Sequence, residues 1–315
     1  MIINTGGRTD TVQYYTEWLL NRFKEGFVYS RNPFYPSKVT RYELTPDKVD
    51  CVVFCSKNYE PILDRLHEIT DRFNTYFHYT ITAYDTDIEP RVPSIDKSIE
   101  TLLKLEQIAG NQRIAWRYDP VLLTEKYTIN YHFKTFNYMS EKLSGHIDRC
   151  IFSFVEMYKK LGVNMPELKA ISYEDKIILA KGLGEIAQKH NIQLQTCATN
   201  GDYKEFGIHP SGCMTLDILG HANNIKFKDL KHKGMRANCN CIETRDIGWY
   251  DTCPNGCRYC YANSTPQKAT ENYKRHNPNS PILFGEIKET DIIQQGNQKS
   301  FLDKNQDLSQ NLRLF

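Results

Sequence analysis

The sequence predicts an α/β protein: a six-stranded, parallel β/α partial (TIM-like) barrel with a C-terminal cysteine-rich cap. Two observations point to this fold class. Short β-rich runs alternate with longer amphipathic segments from the first residue to about residue 196, which is typical of β/α units around a parallel sheet. Polar residues follow most of these runs, and in β/α barrels the carboxyl ends of the strands converge on the face that carries the site.

Six segments have the composition of buried strands. Runs such as Cys51-Val52-Val53-Phe54 are apolar without clean alternation, as expected where both faces of a strand are covered. The predicted strands are residues 1–5, 50–55, 77–82, 113–117, 149–155 and 192–196. A doubly wound open sheet shares this periodicity, and the polar residues at the strand ends favour the barrel.

Five amphipathic segments between these strands are predicted helices. Their apolar residues recur at spacings of three and four, as Ile62, Leu66 and Ile69 do, so each helix can pack one face on the sheet. The predicted helices are residues 11–24, 59–74, 94–109, 130–143 and 173–190. Gly6 and Gly7 lack the longer glycine pattern of a phosphate loop and predict a tight turn at the rim of the barrel.

The pattern changes after residue 196, where glycine and proline become frequent and only residues 214–223 have a helical pattern. We expect a metal-organised cap here rather than a second core. The predicted organisation is a barrel over residues 1–196, an iron-sulfur cap packed on it over residues 197–290, and a loosely held tail over residues 291–315, where Gln and Asn become frequent.

Composition limits the class of partner and the compartment. The chain has 40 basic and 38 acidic residues, so its net charge of +2 gives no support to nucleic-acid or membrane-surface binding. No secretion signal and no long apolar stretch is present, and a soluble, cytoplasmic protein is expected. Ten cysteines in such a chain indicate metal ligands or reactive thiols rather than a disulfide framework.

Three of these cysteines form a tight motif near the end of the chain. Cys253, Cys257 and Cys260 have the spacing C-x3-C-x2-C, and Tyr259 precedes the last of them. Three thiolates on one loop can hold three irons of a four-iron, four-sulfur (4Fe-4S) cluster and leave the fourth iron without a protein ligand. The alternative is part of a zinc site, which commonly uses a C-x2-C pair, but His276 is poorly spaced to complete it.

The motif resembles the signature of the radical S-adenosylmethionine (SAM) superfamily. In those enzymes SAM chelates the open iron, and one electron from the cluster cleaves SAM to a 5′-deoxyadenosyl radical. Elsewhere in the chain, six short motifs occur in a fixed order: Arg8-Thr9-Asp10, Asn32-Pro33-Phe34, Phe54-Cys55-Ser56-Lys57-Asn58, Trp116-Arg117-Tyr118-Asp119-Pro120, Ser153-Phe154 and Asp246-Ile247-Gly248. In these motifs the chain resembles, nearly end to end, the bacterial family catalogued as domain of unknown function 1848. This resemblance implies a cofactor and not a reaction.

Two features depart from the radical SAM pattern. The cysteine loop follows the last predicted strand, whereas radical SAM proteins place it after the first. Ser56-Lys57-Asn58 stands after the second strand, where typical members have a Gly-Gly-Glu that receives the amino group of SAM. A loop from either end of the chain can still reach the same face of a barrel.

The cap contains four further cysteines that make a complete ligand set. They are Cys197, Cys213, Cys239 and Cys241. This set suits a second 4Fe-4S cluster, which the sequence favours, or zinc, and unconnected thiols remain an alternative. Cys51, Cys55 and Cys150 lie in predicted strands and are expected to pack in the core, although Cys55 ends its strand and can face the site.

Polar residues at the strand ends complete the predicted site. The predicted catalytic residues are Arg8, Asp10, Lys57, Arg117 and Asp119, and the predicted cofactor-binding residues are Ser56, Asn58 and Tyr259. The three cations are suited to the carboxylate of SAM or to an anionic substrate, since Arg offers a bidentate fork and Lys a point charge. The two aspartates are equally suited to hold those cations in place.

The resulting hypothesis is a radical SAM-like iron-sulfur enzyme that reductively cleaves SAM to start radical chemistry on an unknown substrate. An outside donor such as flavodoxin or ferredoxin is expected to reduce the cluster. Two alternatives stay open: a zinc-stabilised, non-catalytic binding protein, and an iron-sulfur redox or sensor protein that does not use SAM.

Overall fold

The protein is built around one large parallel β-sheet and a small second sheet. The computed structural model describes residues 1–199, 201–232 and 239–303. Its strands are β1 (Ile2–Asn4), β2 (Phe27–Arg31), β3 (Lys38–Glu43), β4 (Cys51–Ser56), β5 (Thr75–Thr80), β6 (Ile114–Val121), β7 (Arg149–Phe154), β8 (Gln193–Thr196), β9 (His209–Pro210), β10 (Arg245–Asp246) and β11 (Ile292–Gln295).

Eight strands form the large sheet in the order β10-β1-β4-β5-β6-β7-β8-β9, and every neighbouring pair is parallel. All six predicted strands are present, in chain order, as β1 and β4 to β8. The two-residue strands β9 and β10 extend the edges. Within the described residues β9 and β10 do not pair with each other, so the sheet is open rather than closed. The α/β class and the parallel sheet are confirmed, and the six-stranded TIM-like barrel is not.

Helices fill most of the connections between these strands. They are α1 (Thr11–Tyr14), α2 (Thr16–Glu25), α3 (His67–Thr70), α4 (Ile95–Ala109), α5 (Ile129–Leu143), α6 (Lys159–Asn164), α7 (Tyr173–Lys189), α8 (Leu216–Asn223) and α9 (Pro266–Lys274), with 3-10 turns at Glu60–Arg65, Asn111–Arg113 and Lys204–Phe206. The predicted helix 11–24 is interrupted at Tyr15, whose hydroxyl donates to the carbonyl of Thr252 at 2.5 Å. The predicted helix 59–74 begins as a 3-10 turn with Pro61 near its start.

The side chains of the large sheet alternate between two buried clusters, as strand geometry requires. One cluster joins Phe54, Phe77 and Trp116 to the helices α1 to α7. The other cluster joins Val53, Tyr76 and the other buried side chains on that face of the sheet to α8 and to the cysteines after β8. The sheet is therefore covered by α1 to α7 on one face and by α8 and these cysteines on the other.

A three-stranded second sheet, in the order β11-β3-β2, was not predicted. β2 and β3 form an antiparallel hairpin, and β11 lies parallel to β3 with Ile292 opposite Lys38. Arg31 and Asp291 hold this sheet together through two contacts of 2.7 Å. Residues 292–295 of the predicted tail are thus paired, and residues 304–315 of that tail lie outside the described residues.

None of the helices in the described part of the chain combines the length and the apolar character needed to cross a lipid bilayer.

Candidate functional site

The cysteine loop, residues 253–260, lies against the segments that follow β1 and β5. The backbone N–H of Arg258 donates to the carbonyl of Ile88 at 3.0 Å. The hydroxyl of Tyr14 donates to Oδ1 of Asn255 at 2.9 Å, and Nδ2 of Asn255 approaches Oδ2 of Asp10 at 3.5 Å. These contacts place the loop at the carboxyl end of the parallel sheet, where open α/β sheets and barrels carry their sites.

The conformation of the loop depends on one glycine and on backbone hydrogen bonds. Gly256 has a φ of 74°, in the left-handed region that L side chains rarely adopt. The N–H of Cys260 donates to the carbonyl of Cys257 at 3.0 Å, and the N–H of Ala262 donates to Sγ of Cys260 at 3.3 Å. Hydrogen bonds to ligating sulfurs are one of the means by which a protein tunes an iron-sulfur cluster.

Cys253, Cys257 and Cys260 are free and half-buried. Within the described residues these three cysteines do not form a group whose ligand atoms all lie within 4.8 Å of one another. A single tetrahedral Zn²⁺, with bonds of about 2.3 Å, would hold its thiolates about 3.8 Å apart. Thiolates on different irons of one cluster stand farther apart, because each is bonded to its own iron. In the part of the chain that the structure describes, the three loop sulfurs are therefore not arranged as a single-ion site.

Burial raises the pKa of the thiols of Cys253 and Cys257. For Cys253 the backbone N–H groups of Asn255 and Asp10 oppose this rise by donating hydrogen bonds to the sulfur. For Cys257 the carboxylate of Glu89 adds to it, and the ammonium of Lys57 opposes it. Because metals bind thiolates and not thiols, loading this loop with metal releases protons.

Lys57 is paired with Glu89, a buried site residue that the sequence reasoning missed. Glu89 accepts from Nζ of Lys57 at 2.9 Å, from the hydroxyl of Thr82 at 2.8 Å, and from the hydroxyl of Tyr259. Burial disfavours the ammonium of Lys57, but Glu89 and Cys257 outweigh it and raise the pKa of Lys57. The predicted cofactor-binding residue Tyr259 is thus anchored to Glu89. The sequence feature that could have indicated Glu89 is its position in the loop after β5.

Asp10, Ser56 and Asn58 are engaged in local structure. Asp10 is the N-cap residue of α1, where it accepts from the N–H of Gln13 at 3.0 Å. It also accepts from the hydroxyl of Ser56 at 2.7 Å and from the N–H of Lys57 at 3.0 Å. Burial raises the pKa of Asp10, and these hydrogen bonds oppose the rise. Asn58 accepts from the N–H of Glu60 and so begins the 3-10 turn. Together they join the carboxyl ends of β1 and β4.

Arg117 and Asp119 form an ion pair at the end of β6, and the hydroxyl of Ser153 donates to Asp119. Their side chains are 14 % and 17 % exposed. Burial disfavours the charge of Arg117, but Asp119 and the nearby Cys213 outweigh it and raise the pKa of Arg117. The pair lies on the face of the sheet covered by α8 and the cysteines after β8.

Arg8 follows the Gly6-Gly7 turn at the rim of the sheet. A side chain at Gly6 would place its Cβ 2.0 Å from the carbonyl oxygen of Cys55, so the close approach requires glycine. The guanidinium of Arg8 lies 5.8 Å from the ring centre of Tyr250. Within the described residues Arg8 forms no ion pair, although its charge lies near Asp246.

Three of the four predicted cap cysteines come together beneath the sheet. Cys197, Cys213 and Cys241 are buried, and their sulfurs all lie within 4.8 Å of one another. Sγ of Cys241 is 3.8 Å from that of Cys197 and 3.5 Å from that of Cys213. Cys239 is half-buried and packs against the same cluster, outside this group. The trio has the arrangement needed to hold a metal ion.

Comparison with known proteins gives one match. No curated protein matches the chain significantly, and no solved structure does. The family described as Domain of unknown function (DUF1848) matches residues 2–262, a span that holds every strand of the large sheet and the cysteine loop. The match extends over more than half of the chain, and the protein therefore belongs to the DUF1848 family.

Proposed function

We propose that this protein is an iron-sulfur enzyme of the radical SAM type, with an open 4Fe-4S cluster held by Cys253, Cys257 and Cys260. The observation that carries the proposal is the spacing and position of these cysteines: a C-x3-C-x2-C motif of three half-buried cysteines, whose sulfurs do not all lie within 4.8 Å of one another, at the carboxyl end of a parallel sheet. When bound, a cluster with one open iron supplies an electron for the reductive cleavage of SAM.

The residues around the loop would bind and orient the other reactants. Arg8 is the predicted cation best placed to pair with a carboxylate, because it forms no ion pair within the described residues and its fork binds carboxylates in a bidentate manner. Lys57 and Arg117 are already paired with Glu89 and Asp119. These two pairs offer polar contacts of little net charge, suited to a zwitterion such as the amino-acid end of SAM.

Two further parts of the proposal concern the setting of the site. The six central strands run in chain order with α1 to α7 packed on one face, an arrangement shared with partial TIM-like barrels. All ten cysteines are free thiols, which suits a reducing compartment such as the cytoplasm. There a flavodoxin or a ferredoxin would supply the electron.

The test is SAM cleavage by anaerobically reconstituted protein. Iron and sulfide are counted per chain, and 5′-deoxyadenosine is measured after reduction with dithionite. Cys253→Ala, Cys257→Ala and Cys260→Ala are each expected to abolish its formation. Cys150→Ala is the matched control, because this buried thiol packs on the helical face of the sheet, and it should retain the activity.

Three results would overturn the proposal. One is full cleavage activity in the protein with all three loop cysteines replaced. Another is a loaded cluster whose electron paramagnetic resonance spectrum is unchanged by SAM, which would indicate a redox or sensor protein. The third is colourless protein that contains zinc and no iron, which would indicate a metal-stabilised binding protein.

A further inference from the structure

We propose that Cys197, Cys213 and Cys241 bind a single Zn²⁺ ion, with Cys239 as its fourth ligand. This centre lies beneath the sheet and is separate from the cysteine loop. It is a structural site that fastens α8 and the segments bearing these four cysteines to the sheet, and it does not depend on the function proposed for the loop.

The distances between the sulfurs carry the proposal. Two of them are 3.8 and 3.5 Å, and a tetrahedral ion with Zn–S bonds of about 2.3 Å holds its thiolates about 3.8 Å apart. A second 4Fe-4S cluster would need the sulfurs farther apart, since each would bind a different iron. Buried thiolates select soft metals, and among these zinc is the usual single ion of sites with four cysteines.

Three chain segments meet closely to form the site. Cys197 follows β8, and the other two cysteines lie on segments that run side by side, with the N–H of Ile242 donating to the carbonyl of Met214 at 2.8 Å. A side chain at Gly212 would place its Cβ 2.5 Å from the carbonyl oxygen of Asn240. The absence of a side chain at this position is therefore what lets the segments that bear Cys213 and Cys241 approach.

Buried side chains of the sheet hold this arrangement from the other side. The ring Nε2 of His78, on β5, lies 3.1 Å from the carbonyl oxygen of Cys213. Nε2 of Gln195, on β8, donates to the carbonyl of Gly212 at 3.2 Å. Such second-layer hydrogen bonds orient metal ligands and are a regular part of protein metal sites.

A positively charged side chain lies near the proposed zinc site and can offset its negative charge. Four thiolates around Zn²⁺ carry a double negative charge, which is costly to bury without compensation. Arg117 lies close enough to interact electrostatically with both Cys197 and Cys213. The same guanidinium is paired with Asp119.

Cys239 is the fourth ligand because of its position. It is two residues from Cys241, packs against the same cluster, and lies in a segment without helix or strand. Cys55 is the competing thiol, since it is also half-buried and near Cys213, but it is fixed within β4. The two cysteines therefore make a matched pair for substitution.

The experiment counts zinc and iron in the wild type and in a triad variant that carries Cys253→Ala, Cys257→Ala and Cys260→Ala. We expect about one zinc per chain in both proteins, and no iron in the triad variant. Substitution of Co²⁺ for zinc should give the intense visible bands of tetrahedral cobalt thiolate. In the triad background Cys239→Ser should weaken the sulfur-to-cobalt charge-transfer band, and Cys55→Ser should leave it unchanged.

The outcomes separate this proposal from that for the loop. Iron with sulfide in the triad variant, or zinc in fewer than about a tenth of the chains, would refute the zinc site. A wild type with zinc but no iron would refute the loop cluster and leave the zinc site standing. Cys241→Ser should lose the zinc, and if that variant does not fold, the zinc count of the triad variant still decides.

Discussion

Two ion pairs of the same length differ in how far water reaches them. Nζ of Lys57 and Oε1 of Glu89 are 2.9 Å apart beside the cysteine loop, and these side chains are 13 % and 2 % exposed. Nζ of Lys104 and Oε1 of Glu60 are also 2.9 Å apart, but the side chains are 50 % and 40 % exposed. If the carboxylate of each pair were neutralised, only the ammonium of Lys57 would remain as a poorly solvated charge.

We predict that Glu89→Gln lowers the free energy of unfolding by about 3 kcal/mol, because it strands the ammonium of Lys57 in a site shielded from water. Glu60→Gln, the matched control, should cost less than about 1 kcal/mol because solvent screens its pair. Urea denaturation of the two variants measures both values. Equal losses would show that the pair beside the loop is solvated after all.

A buried histidine predicts a specific loss of stability in mild acid. Nδ1 of His132 lies 2.6 Å from the hydroxyl of Tyr118, Nε2 lies 2.8 Å from the carbonyl oxygen of Leu122, and burial lowers the pKa of His132 to about 4. Between about pH 6.5 and pH 4 the unfolded chain therefore binds a proton that the native state does not, so stability falls as the pH falls.

From pH 7 to pH 5.5 this histidine should cost the wild type about 1 kcal/mol of unfolding free energy. His132→Gln removes the titrating group, so its loss of stability over the same interval should be smaller by that amount. Urea denaturation at the two pH values gives the comparison. Parallel losses in the two proteins would mean that the pKa of His132 is the same in the native and the unfolded chain.

The predictability of the site differs from residue to residue. The three loop cysteines lie close together in sequence, so their spacing alone makes them candidate ligands, and Lys57 and Asp119 are candidates because each follows a predicted strand. Glu89 lies well inside the loop after β5, and its burial depends on Tyr259, 170 residues away. A contact between residues so far apart in the sequence cannot be predicted from a local sequence pattern.

Helices and strands with a pattern of buried apolar residues were predicted, whereas β11 and α9, which bury few side chains, were not. All six core strands and α4, α5, α7 and α8 lie close to their predicted bounds. β11 was missed because all four of its residues are exposed and it pairs with β3, about 250 residues earlier. α9 was missed because only Ala269 of its nine residues is buried.

The contact between the two cysteine-bearing segments beneath the sheet can be tested with one methyl group. Gly212→Ala should destabilise the protein by about 1 to 3 kcal/mol and lower its zinc content, because the new Cβ overlaps the backbone of Asn240. Gly162→Ala in α6 is the control, since no atom lies within 4 Å of that position. It should be neutral or stabilising by up to about 1 kcal/mol. Full zinc occupancy in Gly212→Ala would show that zinc binding does not require glycine at this position.

For the molecule as a whole, the proposed zinc centre makes stability depend on free metal. One face of the sheet is covered by a small cluster made mainly of α8 and cysteine side chains. Above the dissociation constant, each tenfold rise in free Zn²⁺ should add up to about 1.4 kcal/mol to the free energy of unfolding. Denaturation in metal buffers tests this, with Mg²⁺ as the control because it prefers oxygen ligands. A flat response to zinc would contradict the site.

The pairing of β1 with β10 has a consequence for how the chain is made. Ile3 lies opposite Arg245, so one edge of β1 stays unpaired until the ribosome has added some 240 further residues. At about 5 to 20 residues per second this takes roughly 10 to 50 s. The cysteine loop is translated later still. Every strand of the large sheet is therefore synthesised before the loop proposed to hold the cluster, and the edge of β1 stays open to pairing with other chains until β10 is made.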